Sequence, residues 1–153
     1  SNMDQSGCVP TSLAMTFTDI LGTVIAPTTV ADYLYYNTNS FNKTSVAGTD
    51  ADGIVLASKN WGLKSNVLSS IDNIASALMS GQHVLAAVGA SQFTNYPYTH
   101  EIVLHGYDNG KTYVRDPFNA NNNGWYSLDY IHGVQSRDAM DTKLGAPFFS
   151  VFA

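Results

Sequence analysis

The chain changes its hydrophobic period halfway along, and that switch limits what it can fold into. Before Gly81, apolar residues recur at helical spacing: Leu13, Ala14, Phe17, Ile20 and Leu21, then Val30, Tyr33 and Leu34. After Gln82 they come in short strand-like blocks, His83 to Val88, Glu101 to Tyr107, Thr112 to Arg115, Trp125 to Leu128 and Phe148 to Phe152. Helices followed by a cluster of strands make an α+β layout with a mostly antiparallel sheet. There are no repeats and no low-complexity linker, and 153 residues suit one domain, residues 1–153.

The local signals agree with this plan. The first helix ends at Gly22, and Pro10 fits a helix only in its first turn, so Cys8 is predicted at the helix N-terminus. A second helix should begin after Pro27, capped by Thr28 or Thr29. A third spans Asp50 to Trp61 and a fourth Ser70 to Met79, with an extended piece, Leu63 to Leu68, between them. Asp108-Asn109-Gly110-Lys111 reads as a hairpin turn, because Asn-Gly accepts the positive φ angles such turns need. Asn119 to Gly124 reads as a loop.

Charge removes several function classes. Charged residues are 12% of the chain and the net charge is −5, with no basic run. Nucleic acid is therefore not an expected partner, since phosphate binding needs clustered positive charge. No apolar stretch is long enough to span a bilayer. A surface built from Asn, Thr, Ser, Tyr and Gly suggests a bacterial protein that is secreted or displayed at the cell surface. Ser1-Asn2-Met3 reads as a cloning remnant, so the expected signal peptide is not present in this chain.

Cys8 is the only cysteine, which excludes an internal disulfide and a multi-thiolate zinc site. A lone cysteine is either a small buried hydrophobe or a reactive thiol. Its placement supports the second reading. At a helix start, the positive end of the helix dipole favours thiolate. His100 opens a strand and Asp116 closes the next strand of the same hairpin. A turn centred between Asn109 and Gly110 sets His100 and Asp116 nearly opposite each other, as a histidine and its orienting carboxylate require. The plain alternative for Asp116 is an ordinary Asp-Pro turn.

Three segments together are specific: Gly7-Cys8-Val9-Pro10-Thr11-Ser12-Leu13-Ala14-Met15, His100-Glu101-Ile102-Val103-Leu104-His105-Gly106-Tyr107-Asp108, and Tyr113-Val114-Arg115-Asp116-Pro117. With them the chain resembles the papain-like cysteine peptidase domain that removes double-glycine leaders from bacteriocins, and more closely its stand-alone bacterial relatives. The resemblance covers nearly the whole chain. It implies a papain-like fold with Cys8 as nucleophile, His100 as general base and acid, and Asp116 as orienting residue. It also implies an oxyanion-binding glutamine upstream of the cysteine. The family's usual place is six or more residues upstream, where Asn2 stands; Gln5 is the nominee here. Val9 departs from the family's glycine and is expected beside the cleft.

Other residues take plainer readings. His105 lies at an odd offset from His100 and faces away from it, as does Glu101, for which a salt link is expected. His83 and His132 read as structural, and no metal or other cofactor is implied. Tyr96-Pro97-Tyr98, just before His100, is read as a wall of the substrate cleft. The expected activity is cleavage of a peptide or amide bond in a peptide or cell-wall peptide, by a monomer. The rivals are a catalytically inactive peptidase-like binding domain, and an acyltransferase or transglutaminase using the same Cys-His pair.

Overall fold

A computed structural model describes residues 2–40 and 49–153, with side chains from Gly7 onward. Its elements run α1 (Asn2–Leu21), α2 (Pro27–Asn37), α3 (Ala51–Asn60), β1 (Lys64–Val67), α4 (Ile71–Met79), β2 (His83–Val88), β3 (His100–Asp108), β4 (Lys111–Arg115), β5 (Gly124–Ser127), α5 (Leu128–Gly133) and β6 (Phe148–Phe152). One antiparallel sheet has strand order β1-β6-β2-β3-β4-β5.

Helices cover both faces of this sheet. On one face α1, α2 and α3 bury Leu13, Phe17, Val30, Leu34 and Ile54 against Leu85, Phe149 and Val151. On the other, α4 and α5 bury Ile74, Leu78 and Ile131 against Val84, Ile102, Leu104 and Phe148. β2 is buried along its entire length, because it lies centrally with helices on either side. Each large aliphatic or aromatic side chain so enclosed contributes roughly 1.5–3 kcal/mol.

Helix ends follow local chemistry. Asp50 caps α3 by accepting from the Gly53 amide at 3.3 Å, and Ser70 caps α4 by accepting from the Asn73 amide at 3.1 Å. The α2 expectation is corrected: Pro27 itself takes the first helical position and Ala26 is the cap, with neither threonine serving. The α1 expectation is corrected as well. The helix begins at Asn2, so Cys8 lies inside it and Pro10 is an interior proline. α5 falls where a strand end was expected.

The hairpin carries one irregularity. β3 and β4 pair Val103 with Arg115 and His105 with Tyr113, then shift register before Asp108 pairs with Lys111. Gly106 sits in this bulge at φ +84°, with its carbonyl accepting from Thr112 Oγ1 at 2.8 Å. The shift sets Asp116 in line with Ile102, where the register of the turn would have set it in line with Val103. His100 is then its diagonal, same-face neighbour, still within side-chain reach.

Candidate active site

His100 Nε2 lies 2.7 Å from Asp116 Oδ1. The hairpin delivers both residues to the same end of the sheet, and the chain beyond β4 completes the carboxylate's surroundings. Oδ1 also accepts from the backbone amides of Phe118 at 3.0 Å and Asn119 at 3.3 Å, and Oδ2 accepts from Asn122 Nδ2 at 2.9 Å. Asp116's own amide donates to Asn123 Oδ1 at 2.7 Å. Burial pushes the carboxyl up, but the bonds from His100, Asn122 and the Phe118 amide outweigh it and hold Asp116 below the usual carboxylate range. A carboxylate can only accept, so Nε2 is the donor in this pair and Nδ1 is left facing away from the carboxylate.

Sequence reasoning missed Asn122 and Phe118. The Asn119 to Gly124 stretch, read as a loop, contains a 3₁₀ turn over Ala120–Asn122 whose cap, Asn119, accepts from the Asn121 amide at 3.1 Å. That turn aims Asn122 at the carboxylate. A run of asparagines just after an Asp-Pro pair was the available signal. Phe118 stacks on His100 with ring centroids 5.9 Å apart, and a Cβ built on Gly7 would meet its Cζ at 3.2 Å. Phe118 thus links the imidazole to the residue before Cys8.

Cys8 is 6% exposed and packs in the core between α1, α2, α3 and the sheet. Its thiol is pushed up to about 12, chiefly by burial and then by the Glu101 carboxyl, with Asp141 adding to the effect. Backbone hydrogen bonds from Glu101 and Val9 pull the other way. The expected lowering by a helix N-terminus does not apply, because α1 starts a full turn and more upstream. The bond to the Glu101 backbone places the sulfur beside the residue that follows His100. Ser12 secures the same contact by donating Oγ to the Glu101 carbonyl at 3.2 Å.

The expectations for the neighbours divide. Val9 is 5% exposed and packs into the core instead of lining a cleft. Gln5 lies in α1 one turn before Cys8, and its side chain, like that of Asn2, falls outside the described residues. Glu101 faces away from His100, but the salt link does not hold: it is 2% exposed, Oε2 has no hydrogen-bond partner, and the charge acting on it is Asp141, of its own sign. Burial first, then Asp141, raises its carboxyl well above the usual range. His105 stacks on His83 at 3.9 Å, and His83 Nε2 meets Asp19 at 3.1 Å, both on the face away from His100. His132 stacks on Phe148.

A cavity of about 400 Å³ opens beside Thr99, the residue before His100. It is lined by Tyr96, Pro97 and Tyr98, by Gly133 to Gln135 with Arg137 and Asp138, and by Gly89 and Ala90. No helix among the described residues is long and apolar enough to cross a membrane.

Comparison with known proteins agrees with this architecture. A solved structure described as a C39-like peptidase from Bacillus anthracis superposes with TM-score 0.70 at 18% identity, covering 97% of this chain and 89% of that one. The peptidase domain of Streptococcus ComA, a bifunctional ABC transporter involved in quorum sensing, gives TM-score 0.67 at 18% identity, over 97% and 91%. A double-glycine-motif protease from an AMS/PCAT transporter, solved with a leader peptide, gives 0.58 at 16% identity, over 98% and 85%. Among curated proteins none matches. The family described as Peptidase_C39 like matches residues 1–137, which is most of the chain including Cys8, His100 and Asp116. The chain belongs to that family, a family of cysteine peptidases.

Proposed function

We propose that the protein hydrolyses a peptide bond through Cys8, His100 and Asp116. The observation that carries the reading is the 2.7 Å bond between His100 Nε2 and Asp116 Oδ1, with every remaining side of the carboxylate filled by protein donors. An imidazole held this way has one nitrogen committed and one free to take a thiol proton. Asp116 fixes the ring's tautomer and supports the positive charge that develops on it. The Cys8 thiolate then attacks the carbonyl carbon of the scissile bond. His100 passes the proton to the leaving amine, and water, activated by the same ring, releases the acyl group.

The substrate enters beside Thr99, where the 400 Å³ cavity meets the start of β3. Its mixed walls suit an extended peptide, with tyrosine faces for apolar side chains and Arg137 and Asp138 for polar ones. Leader peptides and cell-wall peptides are the substrate classes. The protein acts as a monomer outside the cytoplasm of a bacterium, a reading that rests on its low charge and its Asn, Thr and Tyr content.

A second reading, a peptide-binding domain without turnover, draws on one observation: the thiol stands at about 12 in this structure, where thiolate is scarce. A digest separates the two. The chain and its Cys8→Ala variant are incubated with a complex peptide mixture and the termini are read by mass spectrometry. New termini that appear only with the intact cysteine are expected. Peptides retained by both chains with no new termini would favour the binding domain.

A further inference from the structure

The loop between β2 and β3, residues 89–99, is joined to the His100–Asp116 pair by a relay of hydrogen bonds. Gln92 lies in this loop, and its Nε2 donates to the Tyr126 hydroxyl at 2.9 Å. The Tyr126 hydroxyl donates in turn to the Asn122 carbonyl at 2.6 Å. Asn122 Nδ2 donates to Asp116 Oδ2, and His100 Nε2 meets Oδ1. The direction at Tyr126 is fixed. A carbonyl only accepts, so the hydroxyl spends its single proton on Asn122 and offers its lone pairs to Gln92.

The fold puts Tyr126 where this works. β5 pairs it with Thr112 on β4, and alternation from there sets Thr112, Val114 and Asp116 on one face. Tyr126 thus stands on the face that carries the carboxylate. Its ring packs on Phe93, a buried residue of the same loop, with centroids 5.2 Å apart, and stacks on Tyr130 at 6.4 Å. Tyr130 steadies the loop as well, its hydroxyl accepting from the Gln92 amide at 3.0 Å. Burial first, then Tyr130 and Asp116, push the Tyr126 phenol above its ordinary value, which keeps its proton in place.

We propose that Tyr126 is a positioning residue of the His100–Asp116 pair and ties that pair to the loop that lines the cavity. It acts through Asn122. The bond to the Asn122 carbonyl braces the turn over Ala120–Asn122, and that turn aims Nδ2 at Asp116. A phenylalanine would fill the same space beside Phe93 and Tyr130, so packing alone does not call for the hydroxyl. The far end of the loop, Tyr96 to Thr99, lines the 400 Å³ cavity. One loop therefore shapes the space beside His100 and, through Tyr126, braces the carboxylate that orients it. The use of this in turnover rests on the peptidase reading above; the positioning itself does not.

The test compares the intact chain with Tyr126→Phe, Gln92→Met, Asn122→Ala and the double variant Tyr126→Phe with Asn122→Ala. Peptide hydrolysis gives kcat and KM, and nitrogen NMR of the neutral His100 ring gives the share of its proton on Nε2. Losing one neutral hydrogen bond corresponds to about twofold to tenfold in rate, so Tyr126→Phe is expected to lower kcat by that much while KM holds. The Nε2 share should fall with it. Gln92→Met should move both readouts the same way by less, and it carries the test if Tyr126→Phe does not fold. The double variant should lose no more than Asn122→Ala alone, because Tyr126 acts through that side chain. An unchanged Nε2 share in both Tyr126→Phe and Gln92→Met would overturn the proposal, as would losses that multiply in the double variant. A share that falls in Tyr126→Phe, when the intact chain hydrolyses no peptide, removes the peptidase reading and keeps the positioning.

Discussion

Asn122 donates Nδ2 to Asp116 Oδ2 at 2.9 Å, on the carboxylate oxygen that His100 does not use. The two donors divide the carboxylate between them, so the group that orients the imidazole is itself oriented. Asn122 is 9% exposed, and its removal leaves a buried oxygen without a donor. Losing a hydrogen bond to a charged group costs roughly 1.5–3 kcal/mol. Asn122→Ala is therefore expected to lower kcat/KM by about tenfold to a hundredfold. It should also move the acidic limb of the pH–rate profile upward, because Asp116 loses a donor that favours its charged form. Peptide hydrolysis measured against pH reads both effects.

Asp116 makes stability pH-dependent in a definite direction. Its folded carboxyl lies below its ordinary value of 3.8, so it contributes stability that is fully present above that value and is lost as pH falls through the lower folded one. Urea unfolding of the intact chain and of Asp116→Asn from pH 2 to pH 7 should show a gap that is level above about pH 4. The gap should close as the solution is made more acidic.

Glu101 works in the opposite sense. Its folded carboxyl is raised well above 4.5, first by burial and then by Asp141. Below that ordinary value the unfolded and folded chains are protonated alike. Above it the unfolded state gains by ionising, so the native chain loses stability as pH rises until the folded group also ionises. Glu101→Gln, which stays neutral, should gain on the intact chain between pH 5 and pH 8 and match its pH dependence below about pH 4. Paired urea titrations test it.

Two glycines separate site from scaffold. A Cβ on Gly53 would sit 2.5 Å from Thr49 Cγ2 and 3.2 Å from Leu34 Cδ2, all within the buried helical layer. Gly53→Ala should destabilise by roughly 1–3 kcal/mol through overpacking. At Gly7 the contact is the exposed, movable end of the Phe118 ring, at 3.2 Å. Alanine also favours the helix by about 0.5–1 kcal/mol over glycine there. Gly7→Ala should therefore hold its melting temperature while activity falls, since Phe118 moves against His100. Thermal unfolding and hydrolysis, measured on both variants, distinguish the two cases.

The sequence showed the period switch, the central strands and the His–Asp pairing, because these rest on local patterns that tertiary packing did not override. His83–Val88 and Phe148–Phe152 appear as read, and the Asn109-Gly110 turn sits where expected. What escaped depended on longer reach. The bulge at Gly106 shifts the register by an amount no hairpin rule supplies. α5, six residues long, is too short for its periodicity to register. Asn122 becomes functional only through the turn that aims it, and Cys8 lies deeper in α1 than the usual limit on interior prolines allows. Glu101 shows the limit of alternation as evidence. Its orientation away from His100 was legible, but not its burial with Oε2 left without a hydrogen-bond partner and Asp141 as the charge acting on it.

Whether His100 serves Cys8 is read from the rate of Cys8 alkylation in the intact chain relative to His100→Ala. Because burial of the thiol acts on both chains, the ratio is the quantity to read. A ratio of about ten or more near neutral pH, corresponding to roughly two units of thiol activation by the imidazole, is the predicted result. Equal rates in the two chains, each no faster than a free thiol, would contradict it.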